Sequence, residues 1–296
     1  MVLLLRDDAR RSSDRGCGAR CGRLVHRGRL QRPRLHARAG DGAAGRRGDA
    51  RRPRALDRHP GSFPRAIPDR TPSIQSGRAL NVRVTSLLEG ARTATGHVVI
   101  VDVFRAFTTA AFCIAAGARE IVLVNDHEQA LAMKRADPGL FLTGEIDGRP
   151  IPGFDIGNSP SAIERLDLGG RRVVQRTSSG TQGVVAASGA HAIVLGSFVI
   201  AAATVRFLRE YAEEVTIVAM GQNAIEDADE DLACARYLAA ALRDERPSMP
   251  PVKLFEAWPE WFPRRDAELA LEADRFTFAL PVSRENGLLI ARPEYV

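Results

Sequence analysis

The chain has 296 residues, enough for one large domain or two small ones, with 45% hydrophobic residues and a formal net charge of +6. That charge is unevenly placed: residues 1–80 hold twenty arginines, seven aspartates and neither lysine nor glutamate, a net +13, which leaves −7 for residues 81–296. The basic excess therefore says little about the second part, and no run approaches the eighteen apolar residues of a membrane-spanning helix.

Residues 1–80 carry Phe63 as their single aromatic residue and no apolar period of 2 or 3.6. Such a segment cannot bury enough surface to offset chain entropy, so it reads as a disordered Arg-rich extension. An arm for nucleic acid and a transit-like peptide are the alternatives, the latter opposed by Asp7, Asp8 and Asp14. The composition favours a third reading, a non-native extension from a wrongly chosen start codon, so nucleic acid is not the expected partner. Cys17 and Cys21 fall in this segment, while Cys113 and Cys234 lie in Ala-rich helical stretches and read as core residues rather than a disulfide or zinc site.

A folded domain is expected over 81–296. Val98–Val103 is a β-branched run without alternation, the pattern of a buried central strand. Thr108–Gly117 reads as an Ala-rich helix closed by glycine, Ile121–Val124 as a strand, and Asp126 as the cap of a helix running through Ala136. Leu140–Thr143 is a short strand followed by a loop from Gly144 to Asn158, after which Ser159-Pro160 starts a helix. Arg172–Gln175, Ala192–Leu195 and Val215–Met220 are strands, while Ala201–Tyr211 and Asp231–Arg243 are helices. A Pro-rich stretch from Arg246 to Pro263 breaks the pattern before strands at Thr277–Val282 and Leu288–Ala291, the latter after an Asn286-Gly287 turn. Alternating strands and helices predict an α/β fold: three-layer α/β/α with a mainly parallel or mixed sheet, its site at the C-terminal strand ends.

Polar residues gather at those ends. Asp102 is a lone charge inside an apolar strand, which demands a cation, a donor or a proton, and Arg105, Thr108 and Thr109 follow at a helix start suited to phosphate. An Asp–Arg pair with helix capping would use the same residues. Glu145 opens a loop containing Asp155, Asn158 and Ser159, oxygen donors suited to Mg²⁺ or to substrate hydroxyls, or an ordinary polar loop with a helix cap. Thr177, Ser178, Ser179 and Thr181 surround Gly180 in a turn able to present hydroxyls and N–H groups to one anion, and Ser197 ends another strand in a small polar turn. Glu226–Asp231 is an acidic run, either solvated or shared around a cation, with Glu230 and Asp231 at a helix entrance.

The ordered blocks VIVDVFRAFTTA (99–110), TGEIDGRPIPGFDIGNSP (143–160), the turn at 177–181, LGSFVIAAA (195–203) and EDLACA (230–235) resemble those of the 2-phosphosulfolactate phosphatase family. The resemblance implies a Mg²⁺-dependent hydrolase that removes phosphate from 2-phospho-3-sulfolactate in coenzyme M biosynthesis. It implies Asp102, Glu145 and Asp231 as catalytic residues and Asp102, Glu145, Glu230 and Asp231 as the metal set. Arg105, Thr108, Thr177, Ser179, Thr181 and Ser197 would bind phosphate or sulfonate, with Asn158 and Ser159 shaping the pocket. Two positions depart from the family pattern: Phe104-Arg105-Ala106-Phe107 replaces Leu-Arg-Ala-Thr, and Ser178-Ser179-Gly180-Thr181 replaces Thr-Asn-Gly-Thr. The expected partner is thus a small phosphorylated, sulfonated carboxylic acid, for a cytoplasmic enzyme that is a homodimer by the usual habit of enzymes this size. A same-fold phosphatase for another ester and a non-enzymatic anion-binding protein are the alternatives.

Overall fold

The computed structural model describes residues 80–249, 252 and 258–296. The Arg-rich extension, with Cys17 and Cys21, lies outside the described residues apart from Leu80, as does part of the Pro-rich stretch. Chain order is β1 (Asn81–Ser86), α1 (Leu87–Thr93), β2 (His97–Val101), α2 (Ala106–Ala115), β3 (Glu120–Val124), α3 (His127–Ala136) and β4 (Phe141–Ile146). The short strands β5 (Arg149–Pro150) and β6 (Ile156–Gly157) follow, then α4 (Pro160–Ile163), β7 (Arg172–Arg176), α5 (Gly180–Ala186) and β8 (Ala192–Gly196). A 3₁₀ turn over Phe198–Ile200 leads into α6 (Ala201–Tyr211), β9 (Glu214–Ala219) and α7 (Asp229–Leu242). The chain ends with α8 (Arg264–Ala270), β10 (Phe278–Glu285), β11 (Leu288–Ala291) and β12 (Glu294–Tyr295).

The strands form one mixed sheet in the order β1-β9-β2-β8-β10-β11-β3-β7-β4-β5, with β12 on β10 and β6 on β4. Two parallel blocks, β1-β9-β2-β8 and β3-β7-β4, are joined by the β10–β11 hairpin, which is antiparallel to its neighbours on both sides. Alternate residues of each strand face opposite layers. Ile100, Leu123, Val173 and Leu195 join α2 and α5 in the largest core cluster. Val99, Val101, Val194 and Ile217 pack under α6 and α7, and Val122, Leu142 and Val174 pack with Ala130 of α3. Helices therefore cover both faces, and the α/β expectation holds.

Helix α2 buries every residue from Ala106 to Ile114, the signature of a helix apolar on all sides and enclosed by other elements. It starts two residues earlier than its composition suggests, because the Asp102 side chain accepts from Ala106 N–H (3.0 Å) and the Asp102 carbonyl from Phe107 N–H (3.1 Å). It ends as expected: Gly117 takes φ +97, and Gly117 and Ala118 donate to the Ile114 and Cys113 carbonyls. The Asp126 cap holds too, accepting from Glu128 N–H at 3.0 Å. Cys113 and Cys234 are free and buried, as expected of core thiols.

Several elements differ from the sequence expectation. β4 continues through Ile146, so Glu145 is a strand residue, and its loop contains β5 and β6. The hydroxyl-rich turn expected at 177–181 runs at Gly180 into a helix, α5, buried against α2 and β2. α7 begins at Asp229 inside the acidic run, and β1, α1 and α8 had no distinct sequence signal.

Pairing makes β7 antiparallel to β2, so in a flat sheet their C-terminal ends would lie at opposite edges. Five steps separate the two strands along the sheet order. At about 20–25° of twist per step the directions rotate by roughly 100–125°, leaving the strands about 55–80° apart instead of opposed. The curl brings both C-terminal ends together: Gly180 N–H, beyond β7, donates to Asp102 Oδ2, beyond β2, at 2.7 Å.

Candidate functional site

The centre of the site is Asp102, 4% exposed, placed by the buried stretch Val98–Val101 that precedes it. Its backbone N–H donates to the Gly196 carbonyl at the end of β8 (3.3 Å). One carboxylate oxygen caps α2 through Ala106 N–H and the other caps α5 through Gly180 N–H. Burial raises its pKa to about 7, with the charges of Glu145 and Glu230 adding to the rise and the two N–H donors opposing it.

Asp231, in the first turn of α7, is built the same way. Its Oδ1 accepts from Val103 N–H (2.7 Å) and its Oδ2 from Gly221 N–H (2.9 Å), so it links the ends of β2 and β9. Burial pushes its pKa well up, and the charges of Asp102 and Glu230 push it further. Glu230 is also raised, by burial and then by Asp229. Asp102, Glu230 and Asp231 thus form one electrostatic cluster, and Glu145 joins it through its effect on Asp102.

Glu145 is fixed by three donors: Ser178 N–H (2.5 Å), Ser178 Oγ–H (3.1 Å) and Gly148 N–H (2.6 Å). Ser178 Oγ in turn accepts from Asp147 N–H at 3.0 Å. The strand end of β7 and the turn after β4 are therefore locked through one carboxylate, and Ser178, expected among the hydroxyls of an anion turn, is spent on Glu145.

Arg105 is buried, and its guanidinium is bonded to protein. Nη1 donates to the Trp261 carbonyl (3.1 Å) and to Asp266 Oδ2 (3.3 Å), and Nη2 donates to the Gly148 carbonyl (3.0 Å). Its charged centre lies 4.3 Å from the Phe262 ring centroid. Ser159 caps α4 through Ala162 N–H (3.4 Å) and donates to Asp266 Oδ1 (2.9 Å). Asp266, Trp261 and Phe262 had no sequence signal.

The remaining expected residues divide. Thr177 and Thr181 are bonded to each other: Thr177 N–H donates to Thr181 Oγ1, Thr181 N–H to Thr177 Oγ1, and Thr181 Oγ1–H to the Thr177 carbonyl. Thr108 donates to the Val103 carbonyl, and Ser179 bridges the Gly221 carbonyl and Ala224 N–H. These hydroxyls organise the loops around the carboxylates. Asn158 Oδ1 and Ser197 Oγ are buried with no hydrogen-bond partner among the described residues.

Among the described residues, no three His, Cys, Asp or Glu side chains form a ready-made metal cage. Mg²⁺ rarely needs one, since it keeps waters and uses one or two carboxylates with substrate phosphate. Each Asp231 oxygen spends one acceptor position on a backbone N–H and retains capacity. Hard oxygen donors and clustered buried negative charge fit that ion.

Fold and site together define an α/β protein with a buried carboxylate cluster where the C-terminal ends of several strands converge. The chain belongs to the 2-phosphosulpholactate phosphatase family, whose model matches residues 83–256. It is 40% identical over 146 residues to a probable 2-phosphosulfolactate phosphatase of Deinococcus radiodurans, covering 48% of this chain and 61% of the relative. Proteins of the same name from Thermus thermophilus (41% over 147 residues) and Bacillus subtilis (32% over 143) align over 49% and 47% of this chain. The aligned stretch spans 61% of each of those two relatives as well. Among the described residues no helix is long and apolar enough to cross a membrane.

Proposed function

We propose that this chain is a Mg²⁺-dependent phosphomonoester hydrolase that converts 2-phosphosulfolactate to sulfolactate and inorganic phosphate. The observation that carries the reading is the clustering of Asp102 and Asp231, two buried carboxylates at converging strand ends, with the charge of Asp102 raising the proton affinity of Asp231. The family and the names of its relatives support the substrate.

Asp231 and Glu230 would hold Mg²⁺, which when bound supplies charge neutralisation and Lewis acidity at the phosphoryl group. Asp102, with a pKa of about 7, is poised to accept a proton from the attacking water or return one to the leaving alkoxide near neutral pH. The water oxygen bonds to phosphorus, the phosphorus–oxygen bond to the sulfolactate carbon skeleton breaks, and the leaving oxygen takes the proton. Glu145 keeps the β4 and β7 loop ends in register around this step.

A second reading is a phosphatase for another small ester. It is favoured by Ser179, which replaces the family asparagine and spends its hydroxyl on Gly221 and Ala224. Phosphate release by the purified full chain, with and without Mg²⁺, tests both against 2-phospho-3-sulfolactate and a panel of phosphoesters. Mg²⁺-dependent turnover concentrated on phosphosulfolactate is expected. Turnover concentrated on another ester would replace the substrate, and a folded protein releasing no phosphate from any would overturn the enzyme reading.

A further inference from the structure

Asp266 lies beyond the stretch matched by the family, yet two blocks of the site meet on it. It is 0% exposed and Arg105 is 4% exposed. Its Oδ2 accepts from Arg105 Nη1, while its Oδ1 accepts from Ser159 Oγ–H and from Ser161 N–H, both at 2.9 Å. A buried ion pair joined by one bond is a poor device for stability alone, because desolvating both ions offsets most of their attraction.

The guanidinium has five N–H donors. Nη1 spends two, on Trp261 and Asp266, and Nη2 spends one on Gly148. The Nε–H and the second Nη2 N–H make no hydrogen bond among the described residues, and together they are the pair of donors a guanidinium offers to a two-oxygen anion. Phe262 packs against the plane at 4.3 Å, which restricts its rotation. The Gly148 carbonyl held by Arg105 belongs to the residue whose N–H holds Glu145, so the guanidinium is tied directly to the carboxylate site.

We propose that Asp266 is a positioning residue: with Phe262 it holds Arg105 so that its two unspent N–H groups are left for an oxyanion of the substrate. The proposal rests on the phosphatase reading for its kinetic test, but its binding test stands apart from it. Asp266→Asn keeps an oxygen for Ser159 and Ser161 while turning an NH₂ group toward Arg105, so the α4 cap survives and the Arg105 link is lost.

The test compares the full-length wild type, Asp266→Asn, Phe262→Leu and Glu268→Gln, the last an exposed control on the same helix. Two readouts apply: KM and kcat for phosphosulfolactate with Mg²⁺, and anion titration with inorganic phosphate and with methanesulfonate. The titration follows tryptophan emission, for which the chain's two tryptophans are well placed: Trp261 lies against Arg105 and Trp258 against Phe262.

Asp266→Asn is expected to raise KM and the anion midpoint by about 10- to 100-fold with a smaller change in kcat, the range that follows from losing hydrogen bonds to a charged group. Glu268→Gln is expected to match wild type. A wild type that binds neither anion, or an Asp266→Asn protein with unchanged KM and midpoint, would overturn the proposal. A wild type that titrates but releases no phosphate would sink the phosphatase reading alone, leaving the midpoints to decide on Asp266. If Asp266→Asn does not fold, Phe262→Leu decides, since it loosens the guanidinium without unpairing a charge: a raised midpoint supports the proposal and an unchanged one refutes it.

Discussion

Replacing Asp102 by asparagine while varying pH tests the central electrostatic claim. In the folded chain Asp102 binds its proton with a pKa of about 7, against 3.8 for an unperturbed aspartate. Between those values the folded state holds a proton that the unfolded state has lost, so stability falls as pH rises. The slope is about 1.4 kcal/mol per pH unit, or about 3 kcal/mol from pH 5 to pH 7. The loss is complete about one unit above pH 7, where Asp102 is ionised in both states. His97, whose pKa burial lowers, contributes with the opposite sign below its ordinary value of 6.5. Glu285, held at about 2 by Arg292, changes stability only below the ordinary glutamate range. The difference between wild type and Asp102→Asn isolates Asp102 from both. Urea unfolding at pH 5, 6, 7 and 8 with a chelator present should show the wild-type advantage shrinking by about 3 kcal/mol as pH rises, a large part of a typical domain stability. A pH-independent difference would refute the claim that burial and the neighbouring carboxylates perturb this group.

Three other outcomes follow from the same geometry, beside the Asp266 experiment above. At pH 8, Mg²⁺ at 100 times its dissociation constant should stabilise the wild type by about 2.7 kcal/mol; calorimetry should show no such gain in Asp231→Asn, and an equal gain would remove Asp231 from the metal set. In Gly180→Ala the new Cβ would lie 2.9 Å from Asp102 Oδ2, Ala106 Cβ and Phe107 Cζ. The helical preference for alanine, about 1 kcal/mol, is then outweighed by an overpacking cost of about 1–3 kcal/mol, so denaturant unfolding should show lower stability and assays lower kcat; a more stable variant would contradict this packing. Thr181→Val leaves Thr177 N–H without its acceptor. It should lose about 1–3 kcal/mol in urea unfolding, and Thr181→Ser should restore most of it; a valine variant as stable as wild type would show that the reciprocal cap contributes little.

Much of the fold was legible in the chain. The runs at 98–101, 121–124 and 215–219 are β-branched and lack alternation, and each became a strand buried on both faces. Helix α6 took the bounds its apolar stripe gave, and the Asn286-Gly287 turn sits between β10 and β11. Asp102 was conspicuous as a lone carboxylate in an apolar run, which needs a partner, and Asp231 as the end of an acidic run at a helix entrance. Helix α5 was missed because Ser, Gly and Thr carry turn chemistry locally, and only packing against α2 and β2 makes them helical.

The sequence by itself determined most of the central strands and the helices α2, α3, α6 and α7, and which strand ends carry charge, because burial periodicity and capping are local properties. Strand order, the insertion of the β10–β11 hairpin in mid-sheet and the twist that turns β7 toward β2 were decided only by tertiary structure. So was the partner of Arg105, expected to be an anion or Asp102 and found to be Asp266, 161 residues away. Such contacts are chosen by competition among all surfaces that could be buried together, and no local pattern records the winner.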